Sequence, residues 1–191
     1  MRSTNPTMML DSTVRQRLNA LALDSITHGL NHGQAMVVES ELLSGPLKEK
    51  RATFVTLHKR GDLRGCVGHL KAYRPLAQSV ADNAFAAAFR DPRFNPLTAS
   101  ELSALAVGIS VLSPTEPIEF ETEAELVAKL RPGTDGLVLA EGHRSGTFLP
   151  SVWGSIPSPE EFLSQLKRKA GLASDYWSST LTVKRYTTES W

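Results

Sequence analysis

The sequence predicts an α+β (mixed α/β) fold, and two observations carry that expectation. Two segments of period-two alternation close into short hairpins, around Arg60-Gly61-Asp62 and around Glu141-Gly142-His143-Arg144. Amphipathic helical stretches are mixed with these strands without a regular strand–helix–strand repeat, which argues against a doubly wound parallel sheet.

The elements follow in chain order. Residues 1–10 read as a flexible N-terminal tail. From a cap at Asp11 or Ser12, Val14, Leu18, Leu21, Ala22, Ser25 and Ile26 recur at helical spacing, and Gly29 supplies a stop. Residues 34–43 are ambiguous, and Gly45-Pro46 closes them. Arg51 to His58 alternates with Thr53, Val55 and Leu57 on one face, and Leu63 to Leu70 returns as its hairpin partner. Pro75 opens a helix whose apolar stripe, dense in alanine, runs from Leu76 to Phe89 and suits close packing on a sheet. Asp91-Pro92 breaks it, because proline disfavours helical geometry in the residue before it. Thr98-Ala99-Ser100-Glu101 and Thr122-Glu123-Ala124-Glu125 are capping boxes, with a strand over Ala106–Leu112 between them. Gly136–Ala140 and Gly146–Leu149 form the second hairpin. Ser158-Pro159-Glu160-Glu161 starts a helix that turns Phe162, Leu163, Leu166 and Ala170 inward and ends at Gly171, and Thr180–Tyr186 reads as a last strand.

Composition narrows the function classes. With 191 residues, 41% hydrophobic and 21% charged, the chain can bury a proper core. A formal net charge of +1, with basic residues scattered, gives no field for nucleic acid or an anionic membrane. The first ten residues make no signal peptide, and no apolar run reaches the ~18 residues of a membrane helix. One cysteine excludes an intrachain disulfide and suits a reducing, cytoplasmic compartment.

The densest candidate chemistry is Leu63-Arg64-Gly65-Cys66-Val67-Gly68. Gly65 and Gly68 allow positive φ or a close backbone approach, and a nearby Arg64 guanidinium favours a thiolate at Cys66. The opposing reading is a small cysteine packed inside a glycine-interrupted strand. Asp91 caps backbone amides or pairs with Arg93, a role that is structural first. His69 makes a Cys-x-x-His pattern with Cys66, but no second pair completes a metal cage, and residues three apart on a strand face opposite sides. No metal and no cofactor is expected, since the glycine spacing matches neither a dinucleotide fingerprint nor a Walker loop. His143 is a candidate catalytic partner for Cys66, and Arg144 beside it a candidate anion binder with Arg64.

Four segments in order resemble the AMMECR family, known in prokaryotes as AmmeMemoRadiSam system protein A. They are Leu63–Gly68 after Ala52–Leu57, Ala84–Leu97, Asp135–Leu139 leading to Arg144–Pro150, and Glu161-Phe162-Leu163 before Lys169-Ala170-Gly171-Leu172. Val67 stands where the family usually has isoleucine, and Ser151 where it often has glutamine. The resemblance covers roughly Ser12 to Tyr186 and implies a single domain over residues 11–187, open to division into two lobes. It implies a larger mixed sheet flanked by helices, a smaller lobe, and a cleft between them lined by the cysteine motif. It also implies partners, a Memo-type protein and a radical S-adenosylmethionine enzyme. Two functions stay open. One is an accessory component of that system. The other is a cysteine-dependent enzyme acting on a small anionic or carbonyl metabolite, with Cys66 and His143 catalytic and Arg64, Gly65, Gly68, Asp91, Arg93 and Arg144 lining the cleft.

Overall fold

A computed structural model describes residues 9–39 and 43–191. In chain order the elements are α1 (Ser12–His32), β1 (Thr53–Lys59), β2 (Asp62–Gly68), α2 (Leu76–Phe89), β3 (Leu105–Leu112), β4 (Glu116–Pro117), α3 (Glu123–Lys129), β5 (Gly136–Glu141), β6 (Arg144–Phe148), α4 (Pro159–Lys169), β7 (Thr182–Tyr186) and β8 (Thr188–Ser190). They form two compact units. The first takes in the described residues up to Leu112 together with Glu189–Trp191, and the second is Ser113–Thr188.

In the first unit the sheet order is β2-β1-β3-β8. The β1–β2 hairpin turns at Arg60 and Gly61, with φ of 54° and 94°. Two positive φ values in succession give the mirror-image turn whose twist matches that of the strands. Val55 and Leu57 are fully buried in a core shared with α1 and α2. The alanines of α2 let it lie against the sheet at close range: Ala77, Ala84, Ala87 and Ala88 all belong to that core. At α1, the Asp11 carboxylate accepts the Val14 N–H at 2.8 Å and opens the helix as expected.

The expected stop at Gly29 does not occur. The helix continues to His32 and ends at Gly33, whose φ is 71°. Gly29 is there for space, because a Cβ on it would stand 2.6 Å from the rings of Phe85 and Phe89. Another difference lies at the C-terminus, where no strand was expected beyond Tyr186. Ile109 and Trp191 exchange both backbone hydrogen bonds, at 3.1 and 3.2 Å, and set β8 beside β3. The Glu189 carboxylate then accepts the Leu10 N–H at 3.0 Å, and Leu10 is buried. The core therefore includes residues on both sides of the expected 11–187 span. Residues 1–8 of the expected tail and 40–42 of the ambiguous stretch lie outside the described residues.

The second unit has the order β4-β7-β5-β6. Its core stacks Trp153 on Phe162, ring centroids 3.7 Å apart, under the inward face of α4. The α+β class holds: two antiparallel sheets with several helices. Each unit has a four-stranded sheet, and the pairings of β1 with β2 and β3, of β7 with β4 and β5, and of β5 with β6 are antiparallel. Short hairpins and direct returns supply the pairing, and parallel neighbours would need long crossovers.

Gly65 and Gly68 lack positive φ. A Cβ on Gly65 would lie 2.1 Å from the Ala87 carbonyl oxygen, and one on Gly68 would lie 2.3 Å from the Phe54 ring. Gly154, by contrast, has open space around it and no positive φ. We expect Gly65→Ala to destabilise the protein by more than about 1 kcal/mol, an overpacking cost, and Gly154→Ala to stay within about 0.5 kcal/mol. Urea midpoints of the two variants check this.

Candidate functional site

The cysteine motif lies on β2, which is the edge strand next to β1. Leu57 pairs with Gly65 and His58 with Leu63, so Arg64 is the extra residue of a β-bulge. A bulge bends the strand and re-aims a side chain. Here it delivers Arg64 to Glu101: Nε and Nη2 donate to the two carboxylate oxygens at 2.9 and 3.1 Å. Nη2 also donates to the Asn95 carbonyl at 3.0 Å. Lys59 Nζ donates to the same Glu101 carboxylate at 2.9 Å. The Arg64 and Lys59 hydrogen bonds hold the Glu101 carboxyl well below its ordinary range.

Beyond the bulge, Cys66 stands opposite Thr56, and Thr56 Oγ1 lies 3.3 Å from Sγ. The outward backbone of Cys66 meets the loop after α2. Its N–H donates to Asp91 Oδ2 at 2.9 Å, while Arg93 Nη2 lies 3.5 Å from its carbonyl oxygen. Asp91 is buried and also receives Arg93 Nε at 2.9 Å and Nη2 at 2.6 Å. The Arg93 hydrogen bonds, chiefly, hold the Asp91 carboxyl far below the usual carboxylate range. Asp91 and Arg93 together imitate a neighbouring strand, an acceptor for the N–H and a donor toward the C=O.

Face by face, the strand splits the motif. Gly65 turns toward α2, and Cys66 and Gly68 turn away from it with Thr56, Phe54 and His58 of β1 and Gly108 and Ser110 of β3. Cys66 is half-buried, so it is not the fully packed cysteine of the opposing reading. His58 is two residues along β1 from the partner of Cys66 and shares its face. Sequence reading missed His58, although hairpin register alone places it there. It also missed Glu101 as the partner of Arg64, having read it only as a capping residue.

His69 is no metal ligand partner for Cys66 but the end of a buried hydrogen-bond chain. Asn83 Nδ2 donates to Thr53 Oγ1 at 2.8 Å, Thr53 Oγ1 lies 2.7 Å from Ser79 Oγ, and Ser79 Oγ lies 3.0 Å from His69 Nε2. Asn83 donates to the Thr53 hydroxyl, and in each of the next two bonds either partner can supply the proton. Burial pushes the pKa of the ring below the ordinary histidine value.

In the second unit, His143 is exposed in the turn between β5 and β6. Arg144 Nη1 donates to the Gly171 carbonyl at 3.1 Å, just past the C-terminus of α4. Its guanidinium thus ties the hairpin to the glycine that follows the helix. Of the expected site residues, the structure brings together Arg64, Gly65, Cys66, Gly68, Asp91 and Arg93 in the first unit, and His143 and Arg144 in the second. Among the described residues no group of three or more His, Cys, Asp or Glu side chains converges as a metal cage would require. No helix there is long and apolar enough to cross a membrane.

Residues 19–191 match the family model AMMECR1. The chain belongs to the AMMECR1 family. A relative from Methanothermobacter thermautotrophicus is 42% identical over 131 residues, 67% of each chain. One from Thermotoga maritima is 34% identical over 170 residues, 88% of this chain and 92% of its own. The crystal structure of an uncharacterized protein from Pyrococcus horikoshii is similar with a TM-score of 0.80 at 35% identity, covering 91% of this chain and 88% of that one. The AMMECR1 assignment covers both units, so the cysteine motif and the Arg144 hairpin both lie within it.

Three shifted groups of the first unit contribute to the response to acid. His69, Asp91 and Glu101 all titrate lower in the native state than their ordinary 6.5, 3.8 and 4.5, so the unfolded chain binds more protons. Their contribution is complete above pH 6.5, is lost first as His69 charges, and is lost further below about pH 4.5 as the carboxylates protonate. Melting temperatures from pH 8 to pH 3 should fall in that order. The deficit of Asp91→Asn relative to wild type should shrink as pH drops below 3.8.

Proposed function

We propose that this AMMECR1 protein is an accessory component, acting in the cytoplasm with a Memo-type protein and a radical S-adenosylmethionine enzyme. The observation that carries the accessory reading is the state of the groups around Cys66. Arg64 is spent on Glu101, Asp91 on the Cys66 N–H and Arg93, and among the described residues the sulfur has only the Thr56 hydroxyl as a side-chain hydrogen-bond partner. A nucleophilic cysteine is normally activated by a base or a free cation within hydrogen-bond reach. A hydroxyl supplies neither. The two carboxylates of the frame, Glu101 and Asp91, are instead each paired with a guanidinium, as suits a docking element. The identity of the partners rests on the family resemblance, whose prokaryotic members are named with those two proteins.

A second reading has one specific observation in its favour. Cys66 is half-buried and shares a sheet face with His58, so a cysteine-dependent enzyme acting on a small anionic or carbonyl metabolite would use that pair, with His143 as the further candidate. Two measurements separate the readings. Co-purification with the Memo-type protein and the radical enzyme of the same genome should succeed, and should survive Cys66→Ser. A melting-temperature screen against carboxylate, phosphate and carbonyl metabolites should show no shift, because a ligand bound only by the native state would raise it. Failure of co-purification together with a shift that Cys66→Ser or His58→Asn abolishes would establish the enzyme reading instead.

A further inference from the structure

The last turns of α1 carry a pair of histidines that neither the fold nor the Cys66 site uses. His28 and His32 are four residues apart, which sets both on one helical face. Their rings are stacked, centroids 4.1 Å apart and planes 18° apart. His32 Nδ1 lies 3.1 Å from the His28 carbonyl oxygen, and a carbonyl only accepts. The Nδ1 of His32 is therefore the protonated nitrogen, which leaves Nε2 with its lone pair free. A ring whose second nitrogen donates to a backbone carbonyl is oriented and tautomerically fixed in the way that metal-binding histidines usually are.

The geometry points to a two-histidine binding site for a divalent transition-metal ion, formed by His28 and His32 on the face of α1. Two nitrogens bound to one zinc or nickel ion, each about 2.1 Å from it, lie about 3 Å apart at a right-angled bite. The near-parallel rings, centroids 4.1 Å apart, splay by rotation about their side-chain torsions so that the in-plane lone pair of each points at the shared ion. The ring chemistry selects the ion class, since imidazole suits zinc, copper and nickel and not magnesium or calcium. With no third His, Cys, Asp or Glu converging among the described residues, water completes the coordination. Such an open site is weaker than a structural zinc cage and exchangeable. It leaves positions where another protein's carboxylate or imidazole can bind the same ion. Binding also ties two successive turns at the end of the helix, so it stabilises the native chain by mass action.

The full chain, untagged, is titrated with zinc chloride and with nickel chloride by calorimetry at pH 7.5, and its melting temperature is followed with and without each metal. One ion per chain is expected. His28→Asn and His32→Asn should each weaken binding by about tenfold or more, because a chelate loses its gain when one of its two donors is removed. The metal-induced rise in melting temperature should vanish in both variants. His32 is exposed and distant from the core, so His32→Asn keeps the fold and isolates the metal effect. Unchanged binding in the doubly substituted chain overturns the proposal. So does binding abolished by Cys66→Ser or by His143→Asn with His28 and His32 intact.

Discussion

The Asp91 carboxylate occupies the place where another strand would pair with β2. An edge strand presents unpaired N–H and C=O groups, and an exposed one is a template for unwanted pairing. Cys66 is the residue of β2 whose N–H meets Asp91 and whose C=O faces Arg93. Asp91 can stand there because α2 ends at Phe89 and the Asp91-Pro92 break turns the chain back toward the sheet. The approach of α2 in turn needs the absent Cβ of Gly65, against which the Ala87 carbonyl rests. Helix position, edge protection and the fixed backbone of Cys66 are thus one mechanical arrangement.

The same logic explains why the four sequence segments belong together. In the first unit, Leu63–Gly68 is completed by Asp91 and Arg93 from the second segment and by the Glu101 clamp on Arg64. In the second, Arg144 of the hairpin reaches Gly171 in the last segment, and a Cβ on Gly146 would stand 2.9 Å from the Ala170 nitrogen. Asp135, fully buried, accepts from Arg131 at 2.6 Å, and its backbone carbonyl accepts the Trp153 indole N–H at 2.7 Å. A buried carboxylate is tolerable only with such partners, since an unpaired one would shed its charge. Much of what looks like a chemical motif in the sequence is therefore a set of paired structural contacts.

Local patterns were legible where the physics is local. Alternation located β1, β2, β5 and β6, capping boxes located the turns at Thr98 and Thr122, and Gly171 ended α4. What failed depends on contacts distant in sequence. Gly29 looks like a helix stop until Phe85 and Phe89 are seen against it, and β8 has only three residues, too few for a periodic signal. The site followed the same division. Cys66, Arg64, Asp91 and Arg93 stand out in local motifs, and the structure places them in one unit, but the carboxylate that Arg64 meets lies 37 residues away at Glu101. The acceptor of Arg144 is the Gly171 carbonyl, which no residue type announces.

The motif is best understood by its period of two. Gly65 faces the helix and is small so that α2 can approach; Cys66 faces away beside Thr56; Gly68, also facing away, is small so that the Phe54 ring can lie over it. Opposed residues that exchange no backbone hydrogen bonds bring their side chains closest, which accounts for the 3.3 Å between Thr56 Oγ1 and Sγ. Cys66 keeps its backbone bonds for Asp91 and Arg93 on the other side. Its own backbone groups are thus held on the outer side, while the strand that carries it pairs with β1 on the inner.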